Sequence, residues 1–260
     1  MMLAVFLGLL ILLFVMGFSA PYAIGLTSCI VLVMERGLTG FPFDIVATKF
    51  AFSANNFTLL AIPFFLLAGK LMNTGSITKK IFGFCNTLVG WIPGGLGHAN
   101  ILASIVFAGM SGSAVADASG LGTIEIKAME DAGFDTDFAA GVTAASSTIG
   151  PIIPPSIPLI VFAVSAGNVS IAKLLIGGIV PGLLMGITLM MMVAYFAVKR
   201  KYPRTKFPTL GKIWKDFLQA FFPLLTPVIL IGGILTGVFT PTEAAVVAAA
   251  YAFILTVVVY

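Results

Sequence analysis

Two stretches of this apolar chain carry glycine, proline, serine and one carboxylate where a membrane helix would carry leucine. They are residues 109–117, GMSGSAVAD, and residues 146–158, SSTIGPIIPPSIP. Non-helical backbone is tolerated at membrane depth only where protein buries it or where it lines a wet cavity. Two interrupted helices close in sequence therefore indicate a site for a solute or an ion and not a simple anchor.

The composition places the chain in a membrane. Of its residues 59% are hydrophobic and 9% are charged, whereas a soluble domain carries about 25% charged residues. We therefore predict an all-α polytopic membrane protein. The net charge of +4 is local, because seven of the fourteen lysines and arginines lie between Lys199 and Lys215, and it gives no support for nucleic-acid binding. The positive-inside rule makes residues 199–216 a basic cytoplasmic loop in contact with lipid headgroups.

Apolar runs and their interruptions predict the order of helices, since a span needs about 20 residues. Residues 1–93 are predicted to hold scaffold helices: spans at Met1–Phe18, Pro21–Met34 and Phe57–Met72, an interfacial segment at 40–56, and an interfacial helix at Ile77–Trp91. Residues 94–198 are predicted to hold a re-entrant hairpin at about 97–130, a broken helix at about 138–167 and a span at Ala172–Val198. Two further spans are predicted in residues 217–260, at Phe217–Phe239 and Thr242–Tyr260.

The hairpin is inferred from length. Ala99–Met110 holds only about twelve residues, too few to cross the bilayer, and it is followed by Ser-Gly-Ser and a second run at Ala114–Met129. Two short helices in sequence describe a segment that enters and leaves on one side.

A short pattern occurs twice. GFSAP at 17–21 joins the first two predicted spans, and GVFTP at 237–241 joins the last two, with Gly17 and Gly237 220 residues apart. If the pattern marks a repeat, a second copy of the fold begins near Phe217, and the natural protein continues for roughly another 150–180 residues.

The hairpin tip can hold ligands through its backbone. Gly112 and the small residues Ser111 and Ser113 let the chain turn and its carbonyls approach a ligand. Half-helix N-termini favour anions, whereas unwound carbonyls and hydroxyls suit a hard cation such as sodium. Helix packing is the alternative reading, because small residues are common at contacts between membrane helices.

Asp117 is the most informative single residue, since an ionisable group inside a membrane segment is costly and is usually functional or paired. It could accept hydrogen bonds that stabilise the hairpin, help to bind a cation, or carry a proton. The remaining charged residues of this region are expected at the water-exposed base of the hairpin: Glu125, Lys127, Glu130, Asp131, Asp135 and Asp137.

The second interruption combines hydroxyls with prolines. Prolines lack a backbone donor and leave carbonyls unpaired, which a cation or a substrate could satisfy; a connector satisfied by its neighbours is the alternative. The residues concerned are Ser146, Ser147, Thr148, Gly150, Pro151, Pro154, Pro155, Ser156 and Pro158. His98 is expected to be interfacial or hydrogen-bonded, and Cys29 and Cys85 to be packing residues without metal.

An enzyme is the remote alternative. Residues 109–112 match the Gly-x-Ser-Gly pattern of rhomboid-type intramembrane serine proteases. A serine nucleophile needs a base, which that family places on a later helix, and no histidine follows Ser111. The chain is therefore predicted not to be an enzyme. A channel or a non-transporting assembly subunit stays open as a second alternative.

Four motifs in order resemble the large membrane subunit of tripartite ATP-independent periplasmic (TRAP) transporters. They are NFTLLAIPFFLLAG at 56–69, GMSGSAVAD at 109–117, IGPIIPPS at 149–156 and FTPTEAA at 239–245. The resemblance implies an inverted-repeat, elevator-type fold with a re-entrant hairpin and a broken helix. It implies sodium-coupled uptake of a small organic anion (a dicarboxylate, keto acid, sugar acid or sialic acid) across the bacterial inner membrane. The implied partners are a periplasmic binding protein and a small four-helix membrane subunit.

The resemblance also assigns the two motifs to ligands. Sodium is expected at Ser111, Ser113, Asp117, Ser146, Thr148, Gly150 and Pro151. The organic anion is expected at Ser111, Gly112, Ser113, Ser147, Pro154 and Ser156. The chain departs from the family in length, because a second hairpin and a second broken helix are missing, and we expect that 260 residues alone do not transport.

Overall fold

A computed structural model describes residues 2–37, 39–73 and 76–259, with the side chains of all of these except 53, 54 and 259. The predicted span ends Met1 and Tyr260 lie outside the described residues. These residues contain thirteen α-helices and no strand, which confirms the all-α prediction. The chain divides into two compact units, residues 1–56 and 57–260.

The first unit contains three helices: α1 (Met2–Val15), α2 (Ala20–Arg36) and α3 (Phe43–Ala54). Helix α1 has 14 residues and α2 has 17, so both are shorter than the roughly 20 residues of a full span. Helices α1 and α2 contact each other. The segment 40–56, predicted to be interfacial, is mostly helical.

The second unit begins with a 3₁₀ turn at Phe57–Leu60, which leads into α4 (Ala61–Met72), and α5 (Ser76–Val89) follows. The long helices that follow are the candidate spans. Among the described residues, three helices have the length and hydropathy to cross a membrane: Ile171–Arg200, Leu210–Leu235 and Pro241–Val258.

The predicted hairpin consists of α6 (Gly95–Ser111), α7 (Ala114–Ser119) and α8 (Leu121–Asp131). Its turn lies at residues 112–113, as expected, but the return leg was wrongly predicted to be one helix. The Asn73 side chain packs against the interruption at Gly120. Its amide donates to the Ala116 carbonyl at 2.8 Å, and the same side chain fills the space where a Cβ at position 120 would lie.

The broken helix consists of α9 (Thr136–Ser147) and α10 (Ile157–Ala166), and α11 (Ile171–Arg200) follows. Helix α11 approaches the preceding elements closely through glycines spaced four apart. A methyl group at Gly182 or Gly186 would collide with Ile153 or Ile105, respectively. Small residues at such spacing let membrane helices pack at short distance, and α11 therefore packs tightly against the break and against α6.

The last two helices are α12 (Leu210–Leu235) and α13 (Pro241–Ile254), and a π-helical turn extends α13. Thr240 accepts from the Glu243 amide while the Glu243 carboxylate accepts from the Thr240 amide, which is a reciprocal cap of the helix start. The two GxxxP patterns have similar geometry, because Gly17 and Gly237 have φ of 86° and 73° and each is followed by a helix start.

The predicted basic loop is shorter than expected. Helix α12 begins at Leu210, so Lys212 and Lys215 are helical, and only 201–209 remain outside helices. Asp135, before α9, accepts from the Tyr202 hydroxyl at 2.6 Å and from Arg200 at 2.7 Å. These two hydrogen bonds hold the pKa of the Asp135 carboxyl below its ordinary value. The division into scaffold and moving parts, and the inverted repeat, remain predictions.

Candidate ion and solute site

The two interrupted segments touch. Gly112, the residue after α6, adopts a left-handed conformation with φ 60° and ψ 17°, which costs little only for glycine. A methyl group there would collide with the Pro155 carbonyl oxygen. From the other side, a methyl group at Gly150 would lie 3.2 Å from the Ser113 carbonyl carbon. Each break therefore supplies a glycine that the backbone of the other approaches.

Serines close both breaks by capping the helices that follow. The Ser113 hydroxyl accepts from the Ala116 amide at 3.4 Å. The Ser156 hydroxyl accepts from the Leu159 amide at 3.2 Å and donates to the Pro151 carbonyl. Ser/Thr caps satisfy donors that a helix start leaves unpaired, so these hydroxyls hold the turns in shape.

The second break is less open than its prolines suggested. The amides of Thr148, Ile149 and Gly150 each donate to the carbonyl three residues before them. Ile152 and Ile153 both donate to the Ile149 carbonyl. The segment is thus a series of tight turns, in which many carbonyls already have a donor.

Asp117 lies beneath the hairpin tip, on α7, and is only 1% exposed. The hydroxyls of Ser104 and Ser147 lie beside its carboxylate. No described residue makes a hydrogen bond of ordinary geometry to either carboxylate oxygen. A buried carboxylate with only neutral hydroxyls beside it is unfavourable when it is charged, and a cation or a proton would stabilise it.

A network of buried polar side chains continues from this point. The Ser104 hydroxyl donates to Ser146 at 3.1 Å, and Ser146 donates to the Asn100 carbonyl oxygen at 2.7 Å. The Asn100 amide nitrogen donates to Glu125 at 2.7 Å and to Thr143 at 2.8 Å. Asn100 thereby joins α6, α8 and α9 through one side chain.

Glu125 corrects one prediction. It was expected at the water-exposed base, but it is fully buried, and one of its carboxylate oxygens has no partner among the described residues. Lys127, Glu130, Asp131, Asp135 and Asp137 are exposed, as expected. The signal was in the sequence: Leu121, Glu125 and Met129 recur every four residues, and all three lie on the buried face of α8.

The structure brings some predicted site residues together and separates others. Gly112, Ser113 and Gly150 lie at the contact of the breaks, Ser111 packs against Gly69 of α4, and Asp117 is buried on α7. Thr148 is exposed and its hydroxyl donates to Ala145. The Pro154 ring faces elsewhere, in a small apolar cavity with Leu175 and Ile231.

Ser104 and Asn100 were not predicted from the sequence, because they lie in an apolar helix and belong to no recognisable motif.

The donor set fits a hard cation better than a transition metal. Groups of three or more His, Cys, Asp or Glu that could hold a metal are absent from the part of the chain that the structure describes. One carboxylate, hydroxyls and carbonyl oxygens are ligands that suit sodium at a broken helix. His98 is buried, and Cys85 is a buried free thiol.

Replacement of Asn100 tests the network. In Asn100→Leu the Glu125 carboxylate loses its donor, and Thr143 and Ser146 lose partners. Leaving a buried polar group without its hydrogen-bond partner costs about 1–3 kcal/mol and more for a charged group, so we expect a clearly lower thermal unfolding midpoint. Asn168→Leu, at an exposed position, is the control. The double variant Asn100→Leu/Glu125→Leu should recover part of the loss, because no unpaired charge remains; no recovery would contradict the network.

The fold and the paired breaks define a polytopic, α-helical membrane protein with interrupted helices. The family model of the tripartite ATP-independent periplasmic transporter, DctM component, matches residues 7–260. The chain belongs to this family, which is a family of transporter permeases and not of enzymes. It is accordingly a multi-pass protein of the bacterial inner membrane.

Three relatives illustrate the similarity. The chain is 48% identical over 258 residues to a sialic acid TRAP transporter permease of Haemophilus influenzae, covering 99% of the chain and 41% of the relative. It is 54% identical over 206 residues to a sialic acid large permease of Vibrio cholerae, covering 79% and 48%. It is 45% identical over 220 residues to a 2,3-diketo-L-gulonate large permease of Escherichia coli, covering 85% and 52%. The chain thus spans about half the length of these relatives.

Proposed function

We propose that the chain is part of a sodium-coupled secondary transporter for a small organic anion. The observation that carries this proposal is Asp117, a buried carboxylate on the helix that follows the first break, with only the Ser104 and Ser147 hydroxyls beside it. Two neutral hydroxyls offset only part of the cost of burying a charged carboxylate. A cation at this point would remove the cost of the buried charge.

Sodium would be held by residues on both sides of the contact. Asp117 supplies the charge, and Ser111, Ser113, Gly150 and Pro151 supply hydroxyl or carbonyl oxygens. Ser146 already belongs to the Asn100 network, and Thr148 donates to its own helix, so these two are the weaker candidates. Binding across the contact would join the hairpin to the broken helix.

The organic anion would bind at the same contact. Ser147 and Ser156 lie on the broken helix, and the start of α10 is a positive dipole end, which favours an anion. Because no arginine lies in either break, a carboxylate clamp would come from residues outside the two breaks. The relatives named for sialic acid and 2,3-diketo-L-gulonate suggest sugar acids as the first substrates to test, followed by dicarboxylates and keto acids.

Sodium binding would be coupled to anion transport because sodium would bind the conformations of the protein with different affinities. A ligand shifts a conformational equilibrium only by binding its states unequally. Sodium bound between the breaks would order the hairpin tip before the anion arrives. The hairpin and the broken helix would then move together against a scaffold, in an elevator-type transition, after a periplasmic binding protein delivers the anion to the complex with the small four-helix subunit.

Uptake in proteoliposomes tests the proposal. The full-length permease and its small subunit are reconstituted, and radiolabelled sialic acid is offered on the cognate binding protein. We expect accumulation under an inward sodium gradient and none when sodium, the small subunit or the binding protein is omitted. Uptake that is indifferent to sodium would contradict the coupling. Downhill flux without the binding protein would favour the channel alternative.

A further inference from the structure

A polar groove lies between α5 and α12, outside the candidate transport site. It has a volume of about 370 Å³, and residues of both helices line it. Its residues are Lys79, Lys80, Gly83, Phe84, Asn86, Thr87, Lys212, Asp216 and Gln219. Because a water molecule takes about 30 Å³ of liquid, the groove is large enough for a group much bigger than an ion.

The groove is positively charged. Three lysines, Lys79, Lys80 and Lys212, line it together with one carboxylate, that of Asp216. The Thr87 hydroxyl donates to Asp216 at 2.6 Å, so this carboxylate is held by α5 and ties the two helices together at the side of the groove. Three lysines and one carboxylate line the groove, so its lining is mainly basic, which favours an anionic ligand.

Aromatic side chains place the groove at the level of the lipid headgroups. The rings of Trp91 and Phe207 lie 5.3 Å apart, and those of Trp214 and Phe217 lie 5.9 Å apart. Trp91 is 41% exposed and Trp214 is 63% exposed. Tryptophan is enriched where hydrocarbon meets water. Helix α12 also changes here from the charged segment at 210–219 to the apolar segment that begins with Ala220.

We propose that this groove binds the phosphate headgroup of an anionic phospholipid. Lysines near the membrane surface attract anionic headgroups by about 1 kcal/mol each, and the neighbouring apolar stretch of α12 would receive the acyl chains. Two of the three lysines come from α5, so the groove is a defined site and differs from the general basic character of the segment between α11 and α12. The proposal does not depend on sodium coupling.

The test measures lipid retention by the full-length permease with its small subunit. The complex is exchanged into nanodiscs that contain dioleoylphosphatidylglycerol at 10% in phosphatidylcholine, and co-purified lipid is quantified by native mass spectrometry. We expect Lys79→Gln/Lys80→Gln/Lys212→Gln to lower retained phosphatidylglycerol about tenfold or more. Lys201→Gln/Arg204→Gln/Lys206→Gln removes the same charge from exposed positions outside the groove and should change retention less than twofold.

Three results would overturn the proposal. Equal losses in both triple variants would show attraction to the surface as a whole and not to the groove. Displacement of the lipid by millimolar inorganic phosphate would assign the groove to a free anion. The single variants Lys79→Gln and Lys212→Gln, both at exposed positions, should give graded losses if the triple variant fails to fold; unchanged retention in both singles would also overturn it.

Discussion

Asp117→Asn should weaken the effect of sodium on uptake while making the sodium-free protein more stable. The amide keeps the shape of the carboxylate and removes its charge. Two unit charges 4 Å apart interact by about 4 kcal/mol at an effective dielectric constant of 20. We therefore expect the sodium concentration for half-maximal uptake to rise at least about tenfold, measured in proteoliposomes at constant membrane potential.

The stability measurement separates a ligand from a structural residue. Removing an unsatisfied buried charge relieves a cost of about 1–3 kcal/mol, so the unfolding midpoint in choline buffer should rise. The stabilisation that sodium gives to the unsubstituted protein should disappear in the variant. Asp131→Asn, at an exposed position at the end of α8, should change neither quantity. If the unfolding midpoint of Asp117→Asn fell in choline buffer and sodium still stabilised the variant, Asp117 would have a structural role and would not bind sodium.

The helix breaks were predictable because glycine and proline act locally. Gly112 needs a left-handed backbone, and Pro158 suits the first turn of a helix, so the positions of the turn and of α10 follow from the sequence around them. The interruption at Gly120 is different. There the chain is contacted by Asn73, which is 43 residues from Ala116, and no local pattern records that contact.

The buried network was missed for a related reason. A glutamate between helix breaks is ordinarily solvated, because burying a charge is costly. The fold offsets that cost with an amide from α6, so the burial of Glu125 depends on how three helices meet. The stripe of Leu121 and Met129 around it was visible in the sequence, but only the partner Asn100 makes its burial intelligible. The sequence does not predict which anion is transported, because about half of the relatives' length lies outside this chain.

Gly112→Ala should be among the most damaging single changes in this chain. A non-glycine residue in the left-handed region costs roughly 1–2 kcal/mol, and the new methyl group would also collide with the Pro155 carbonyl oxygen. Overpacking of this kind adds about 1–3 kcal/mol, and rigid backbone on both sides leaves little room to relax. We expect a clear fall in the unfolding midpoint and loss of sodium-driven uptake, because the hairpin tip and the second break are forced apart.

Alanine variants at two other glycines distinguish the cost of backbone strain from the cost of a steric collision. Gly133 has φ 90° with no atom within 4 Å of an added Cβ, so Gly133→Ala carries the backbone strain alone. Gly141 lies in α9 with the same open space, so Gly141→Ala should be neutral or slightly stabilising, as alanine favours helix. The expected order of damage is Gly112, then Gly133, then Gly141. If Gly112→Ala proved no worse than Gly133→Ala, the contact between the two breaks would be absent from the working protein, and with it the shared site for sodium and the anion.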